Sequence, residues 1–249
     1  MGELRKADIS EYPDLTPLAE AVPLGRQYPL SMTEGNQTGD IFTDGRGVLF
    51  WHYCGFAFMA GEYDSAFAEE VCRLMKTDNR RLLLFADEEQ AALFGGYEGL
   101  VTERRLFFEY PLDKPVPQYP LPEGFEMSLL MPRLIPQLTG RIVPAFSWEE
   151  DRQFLDKGVG FCVTYGGRPC AWAFTAAVGG HEAYIGVECA EDFRRKGLAA
   201  AAAAMTAACV KEHGRKPVWA CHEGNKASAG LAEKLGFVKT GECFVLHKA

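Results

Sequence analysis

The spacing of apolar and polar positions changes several times along the chain, and each change marks an element. Gly160–Tyr165 (GFCVTY) and residues 170–178 (CAWAFTAAV) are short apolar runs separated by Gly166-Gly167-Arg168-Pro169, so they read as a β-hairpin. A Gly179-Gly180 turn leads to a third strand, 181–189 (HEAYIGVEC). The loop 190–195 precedes an alanine-rich helix, 197–213, with Leu198, Ala202, Met205 and Cys209 on one face and Gly214 as its C′ residue. A strand at 218–222, a helix at Lys226–Leu235 ended by Gly236 and a last strand at 241–247 complete this part. Upstream, 125–131 reads as a short strand, and 132–140 and 148–157 as helical turns. The first part alternates too: strands at 48–54 and 56–60, a helix at 63–76 with Phe67, Val71 and Leu74 on one face, a strand at 81–86, a helix at 88–94 and a strand at 104–110. This order predicts an α+β fold of mixed α/β layers with a mixed sheet, not uniform βαβ repeats.

Between the two parts, residues 111–122 hold five of the 14 prolines. Proline removes a backbone donor and fixes φ, so this stretch is a stiff extended linker. It leaves an N-terminal α/β domain at 1–110 and a second domain at 123–249, each of ordinary domain size.

Composition narrows the function. With 47% apolar and 24% charged residues, the 249-residue chain can bury a core. Its 26 basic and 34 acidic residues give a formal charge of −8, which argues against a protein that coats nucleic acid. That acidity mildly favours a cationic small-molecule partner. No run approaches the roughly 20 apolar residues that span a bilayer, and residues 1–10 contain no secretory h-region. The eight cysteines are scattered, form no C-x-x-C pair and lie mostly in apolar runs, so they read as reduced core thiols of a cytoplasmic protein. The five histidines do not fall at zinc-ligand spacing beside cysteine pairs, and no metal site is expected.

The chemistry concentrates in Cys189-Ala-Glu-Asp-Phe-Arg194-Arg195-Lys196-Gly197-Leu198-Ala199. A strand ends, a basic loop with a glycine follows, and a long helix begins. The first N–H groups of a helix lack intrahelical partners and sit at the positive end of its dipole, so the segment predicts a phosphate site. Gly197 lets backbone approach the ligand closely, and Ala199 keeps the wall low.

This segment resembles the acyl-CoA loop of the GNAT superfamily of acyl-CoA-dependent N-acetyltransferases, Q/R-x-x-G-x-G/A, through Arg194, Gly197 and Ala199. A second stretch, Asn225-Lys-Ala-Ser228-Ala-Gly-Leu231-Ala232-Glu233-Lys234-Leu235-Gly236-Phe237, resembles the family's N-x-x-(A/S)-x-x-L-Y-x-K-x-G-F at the family's spacing. The resemblance runs from about residue 125 to the C-terminus, and the long N-terminal part resembles a bacterial GNAT subfamily that includes zwittermicin-resistance acetyltransferases. It implies acetyl-CoA as co-substrate, a small-molecule amine acceptor, and a gap between the strands ending at Cys189 and His222 that takes the pantetheine arm. Backbone at Val187 and Cys189 would pair with that arm, and Arg194, Arg195, Lys196, Gly197, Leu198 and Ala199 would surround the pyrophosphate. Asn225 and Ser228 would touch the cofactor from the other side, although Asn225 also suits a helix N-cap. A homodimer is left open.

A GNAT reaction needs a deprotonated amine, a donor to the developing oxyanion and a protonated leaving thiolate. Glu188 and Glu182, six residues apart on one strand face, are the candidate bases. A backbone N–H near Cys189 is the candidate oxyanion donor. Cys189 itself has a rival reading as acyl carrier with His181 or His222. The family's tyrosine acid is Ala232 in this chain. Tyr184, Tyr165, a cysteine or water could replace it, the transfer could run without an acid, or the domain could bind acyl-CoA without catalysis. The first part has no phosphate loop, yet Arg81–Ala86 followed by Gly99-Leu100-Val101 parallels 217–222 followed by Gly236-Phe237-Val238. It is therefore expected to be a degenerate GNAT-like half, with an independent α/β origin as the alternative. The cleft between paired halves would then hold the acceptor, walled by aromatics such as Trp51, Tyr53, Phe56 and Phe58.

Overall fold

The computed structural model describes residues 4–249; residues 1–3 of the first part lie outside the described residues. The strands are β1 (Arg5–Lys6), β2 (Gly39–Thr43), β3 (Gly47–His52), β4 (Phe56–Gly61), β5 (Leu83–Ala86), β6 (Leu100–Glu109), β7 (Phe125–Leu129), β8 (Gly160–Tyr165), β9 (Arg168–Gly179), β10 (Glu182–Cys189), β11 (Lys216–His222) and β12 (Val238–Lys248). The helices are α1 (Thr16–Glu20), α2 (Gln27–Thr33), α3 (Ser65–Thr77), α4 (Glu88–Ala92), α5 (Asp151–Lys157), α6 (Leu198–Glu212) and α7 (Lys226–Leu235).

All twelve strands join one mixed sheet in the order β1-β2-β3-β4-β5-β12-β6-β11-β10-β9-β8-β7. The order is symmetrical about its centre. On one side β4 runs parallel to β5, and on the other β10 runs parallel to β11. Helix α3 crosses between the first pair as α6 crosses between the second. The closing strands are exchanged: β6, from the first part, pairs with β11, and β12, from the second, pairs with β5. The two closing strands also pair with each other along most of their length. Residues 111–122 contain no helix or strand. The Tyr119 hydroxyl donates to the Lys234 carbonyl at 2.9 Å and ties this segment to the end of α7.

The sheet is covered on both faces, which explains the near-continuous apolar runs of its inner strands. Every residue of β3 is buried, as is 170–179 of β9. On one face Tyr28, Phe58, Trp148, Trp172 and Tyr184 belong to one core with the N-terminal helices. On the opposite face α6 and α7 pack over Ile185, Trp219 and Phe237. The alanines of α6 lower that helix onto the sheet, and the Thr206 hydroxyl reaches the Ala173 carbonyl at 3.2 Å.

Several sequence expectations change in detail. Leu198 and Ala202 of the expected α6 face are buried, but the buried side runs on through Ala203, Ala207 and Val210, while Met205 is 44% exposed and Cys209 half-buried. An alanine run has no apolar period of its own, so the larger side chains misled the phase. Helix α5 starts at Asp151, and Trp148 is a buried loop residue whose indole donates to the Thr175 carbonyl at 2.8 Å. Only Ile135–Gln137 of 132–140 is helical, as a short 3-10 turn. The first 43 residues supply β1, α1, α2 and β2, which the spacing did not mark because these elements are short and α2 is buried all round. All eight cysteines are free, six of them buried. No helix among the described residues is long and apolar enough to cross a membrane.

The strand exchange makes a direct prediction. A fragment comprising 111–249 lacks β6, so β11 loses its antiparallel neighbour. Expressed alone it should be insoluble or unfolded by circular dichroism, and co-expression with 1–110 should restore a 1:1 complex. A fragment that folds alone as a monomer would contradict the exchange.

Candidate active site

Strands β10 and β11 begin as parallel neighbours and then part. The ladder pairs Glu182 with Lys216, Ala183 with Pro217 and Tyr184 with Val218, and it ends there. At the same height the β9–β10 register skips Ala176, a β-bulge that adds local twist and bends the strands away. Beyond it β10 stays paired to β9 as far as Cys189. The Ala190 N–H bonds the Cys170 carbonyl at 2.9 Å, so by ladder alternation the backbone groups of Val187 and Cys189 point into the gap. The Tyr184 hydroxyl closes the narrow end: it donates to the Ala220 carbonyl at 2.6 Å and accepts from Arg105 Nη2 at 2.8 Å. The resulting cleft has a volume of about 780 Å³.

The predicted anion loop forms one mouth of this cleft. Gly197 is the N-cap of α6 with φ +81°, and no side chain caps the helix. Arg195, with φ +63°, is the one non-glycine residue in the left-handed region among the described residues, a local strain of the kind found at ligand sites. The first intrahelical bond is Ala201 N–H to the Gly197 carbonyl, 3.0 Å, which leaves the amides of Leu198, Ala199 and Ala200 without helical partners. A Cβ placed on Gly197 would meet nothing within 4 Å, so the space outside the loop is open. Arg194, Arg195 and Lys196 are exposed; Arg194 Nε reaches the Cys189 carbonyl at 3.5 Å, and the Lys196 ammonium lies 5.4 Å from the Phe193 ring centre.

On the other wall Asn225 Oδ1 accepts from the Ser228 N–H at 3.1 Å as the N-cap of α7, and Ser228 Oγ accepts from Trp219 Nε1 at 3.0 Å. Both residues line the cleft. Ala232 does not: it is fully buried in the core, and α7 presents Ser228, Leu231 and Lys234 instead. Of the two tyrosines considered as replacement acids, Tyr184 lies in the cleft, whereas Tyr165 is 51% exposed against Phe125.

The corresponding position in the first part is closed by its own side chains. Asp64 caps α3 and accepts from the amides of Ala66 and Phe67 at 3.0 and 3.1 Å, so a carboxylate occupies the helix N-terminus. Gln90 reaches across to the Met59 carbonyl at 3.2 Å, beyond the β4–β5 ladder. Of the two crossover helices, α3 is capped by a side chain and α6 is not.

The three candidate catalytic residues separate. Glu188 is half-buried in the cleft, accepting from the Ile142 N–H at 3.4 Å and the Cys189 N–H at 3.3 Å. Glu182 lies at the far end of β10, 7% exposed, in an ion pair with Arg26 at 2.6 Å, and does not line the cleft. Sharing a strand face put both carboxylates on one side, but six residues of strand hold them far apart. The Cys189 thiol lies toward the α6 face with its pKa pushed up by burial, and its hydrogen bond goes to the Ala190 carbonyl. His181 sits in the exposed turn before β10, and His222 pairs with Glu103 at 3.3 Å, so neither histidine is joined to Cys189.

Sequence reasoning missed much of the opposite wall. Arg105 and His222 face each other in the β6–β11 ladder and therefore share a sheet face. Both line the cleft, together with Phe56, Arg81, Arg141 and Phe146. Burial first, and then the neighbouring Arg105, lower the His222 pKa and so favour the neutral imidazole, with Glu103 acting in the opposite direction. Of the proposed aromatic wall, only Phe56 lines the cleft. Trp51 and Phe58 are buried in the cores, and Tyr53 is 46% exposed. Net charge gave no sign of the local charge here, where Arg81, Arg105 and Arg141 line this end of the cleft. A signal was present: Arg105 occupies an inward position of the RRLFFEY strand, in step with Phe107.

The GNAT acetyltransferase family model matches residues 30–245, and the chain belongs to that family. The uncharacterized N-acetyltransferase YdfB of Bacillus subtilis is 27% identical over 225 residues, covering 88% of this chain and 82% of the relative. A GCN5-related N-acetyltransferase-like protein from Streptococcus suis shares the fold with a TM-score of 0.73 at 23% identity, over 97% of this chain and 100% of that one. A tandem GNAT protein from the clavulanic acid biosynthesis pathway does so with a TM-score of 0.64 at 13% identity, over 99% and 98%.

Proposed function

We propose that this protein is an N-acetyltransferase that moves the acetyl group of acetyl-CoA to a primary amine by direct attack. The observation that carries the reading is the meeting of two features in one cleft: a strand end whose backbone has no ladder partner, and a helix N-terminus with no side-chain cap. Val187 and Cys189 would hold the pantetheine arm as an added strand would be held. The amides of residues 198–200 and the loop from Arg194 to Ala199 would hold the pyrophosphate, with Asn225 and Ser228 opposite. The donor supplies the activated thioester; the chain supplies position, charge and proton transfer.

Glu188 would accept the amine proton, directly or through water. The arginines that lower the His222 pKa would also favour the neutral, nucleophilic form of a bound amine. The Cys189 N–H, which donates to the Glu188 carboxylate at 3.3 Å, would turn to the negative charge developing on the acyl oxygen as Glu188 takes the amine proton. With Ala232 in the core, Tyr184 is the tyrosine that lines the cleft, and its hydroxyl, which donates to the Ala220 carbonyl, would be the proton source for the leaving thiolate. We also read 1–110 and 123–249 as two GNAT-like halves joined by 111–122, the first without a cofactor site; the mirrored strand order and the Asp64 cap support this. The eight free thiols suit a reducing, cytoplasmic setting.

Calorimetry with acetyl-CoA tests the donor assignment. Wild-type protein should bind it, and Gly197→Trp should weaken binding by at least about tenfold, because tryptophan disfavours φ +81° and fills the mouth. Unchanged affinity in that variant would remove the loop assignment. Thiol release on a panel of amines then separates catalysis from mere acyl-CoA binding. Glu188→Gln should lower kcat by about 10²-fold with the acetyl-CoA Kd unchanged. An unchanged rate would transfer the base role to His222.

A further inference from the structure

Three arginines of the cleft are left without an ion pair, although Glu188 lines the same cleft and Glu103 acts on Arg81 from further off. Arg105 is 8% exposed, and its guanidinium touches only neutral groups: the Tyr184 hydroxyl, the Ala220 carbonyl at 3.5 Å, and the faces of Phe56 and Phe85, 5.0 and 5.4 Å from their ring centres. Its Nε–H is buried without an acceptor. Arg81 and Arg141, more exposed, line the same end of the cleft. Among the described residues none of the three has a carboxylate within ion-pair distance. They repel one another, and the Arg81 pKa is lowered by burial first and then by Arg141. Buried cations are normally paired, and an unpaired one is destabilising, so this arrangement calls for an anion from outside.

That anion is not the pyrophosphate expected at the α6 mouth. Arg105 shares its sheet face with Tyr184 and Phe56, opposite the face that carries α6. Arg141 belongs to the loop whose next residue, Ile142, bonds Glu188. The arginines thus surround the acceptor side, with Glu188 at the edge facing the cofactor strand.

We propose that the acceptor is an amine that also carries a carboxylate, held by a subsite of Arg105, Arg81 and Arg141; this rests on the transferase reading above. Guanidinium groups match a carboxylate by charge and by planar geometry. Phe56, Ile142 and Phe146 add apolar walls, so the body of the molecule between amine and cleft wall is apolar. A small amino acid has this combination: its amine faces Glu188 and its carboxylate the arginines.

The test uses the full chain and L-leucine and L-phenylalanine, each as the free acid, the methyl ester and the aminophosphonate analogue. Calorimetry without acetyl-CoA measures binding, and thiol release with acetyl-CoA measures kcat/KM. The free acids should bind and react at least about tenfold better than the esters. Arg141→Gln and Arg105→Met should each remove most of that preference, while Arg141→Gln leaves the acetyl-CoA Kd unchanged. Arg105 is buried, so if its variant does not fold, Arg141→Gln, in an exposed loop, carries the test. Equal use of acids and esters, a preference that survives Arg141→Gln, preference for the phosphonates, or no binding of any probe would overturn the proposal. The transferase reading fails separately, if acetyl-CoA is neither bound nor consumed while the acid-over-ester preference persists in calorimetry.

Discussion

Past Tyr184 and Val218, β10 and β11 exchange no further ladder hydrogen bonds, and the remainder of the site follows from that break. Inner strands of a covered sheet rarely leave backbone groups unpaired, because a buried N–H or C=O without a partner is costly. Here the break is held open. The bulge at Ala176 bends β10 on one side, and on the other the Tyr184 hydroxyl and Arg105 fasten the Ala220 carbonyl. The opened backbone is polar, extended and lined by apolar side chains, which suits a narrow chain bearing amides more than a compact ligand.

The exchange of closing strands makes the first half a working part of this cleft. Strand β6 delivers Arg105 beside His222, and the first half also supplies Phe56 and Arg81. The same half has its own parallel pair and crossover helix, but Asp64 and Gln90 satisfy the groups that a cofactor would otherwise meet. One half therefore leaves the N-terminus of its crossover helix without a side-chain cap, and the other fills its counterpart with the Asp64 carboxylate and contributes charge and walls to its neighbour.

Much of the α6 and α7 side of the cleft was legible in the sequence. The Gly166-Gly167 turn, the capping Gly236 and the boundaries of α6 and α7 depend on local chemistry, and the loop from Arg194 to Ala199 lies where strand gives way to helix. The arginine-lined wall was not legible, because its residues meet through sheet order. Nothing local tells β6 to lie beside β11, so Arg105, Arg81 and Arg141 could not be gathered from spacing. Nor does strand parity report distance along a strand, which is why Glu182 and Glu188 looked equivalent although one is tied to Arg26. Net charge likewise hides local charge, since −8 over the whole chain coexists with an arginine-lined cleft.

Amide hydrogen exchange, with and without acetyl-CoA, reads the central claim most directly. Exchange should slow at Val187, Cys189 and Leu198–Ala200 when acetyl-CoA binds, with little change at Ala183 and Tyr184, whose ladder already exists. Binding of acetyl-CoA that leaves Val187, Cys189 and the first turn of α6 unprotected would contradict it.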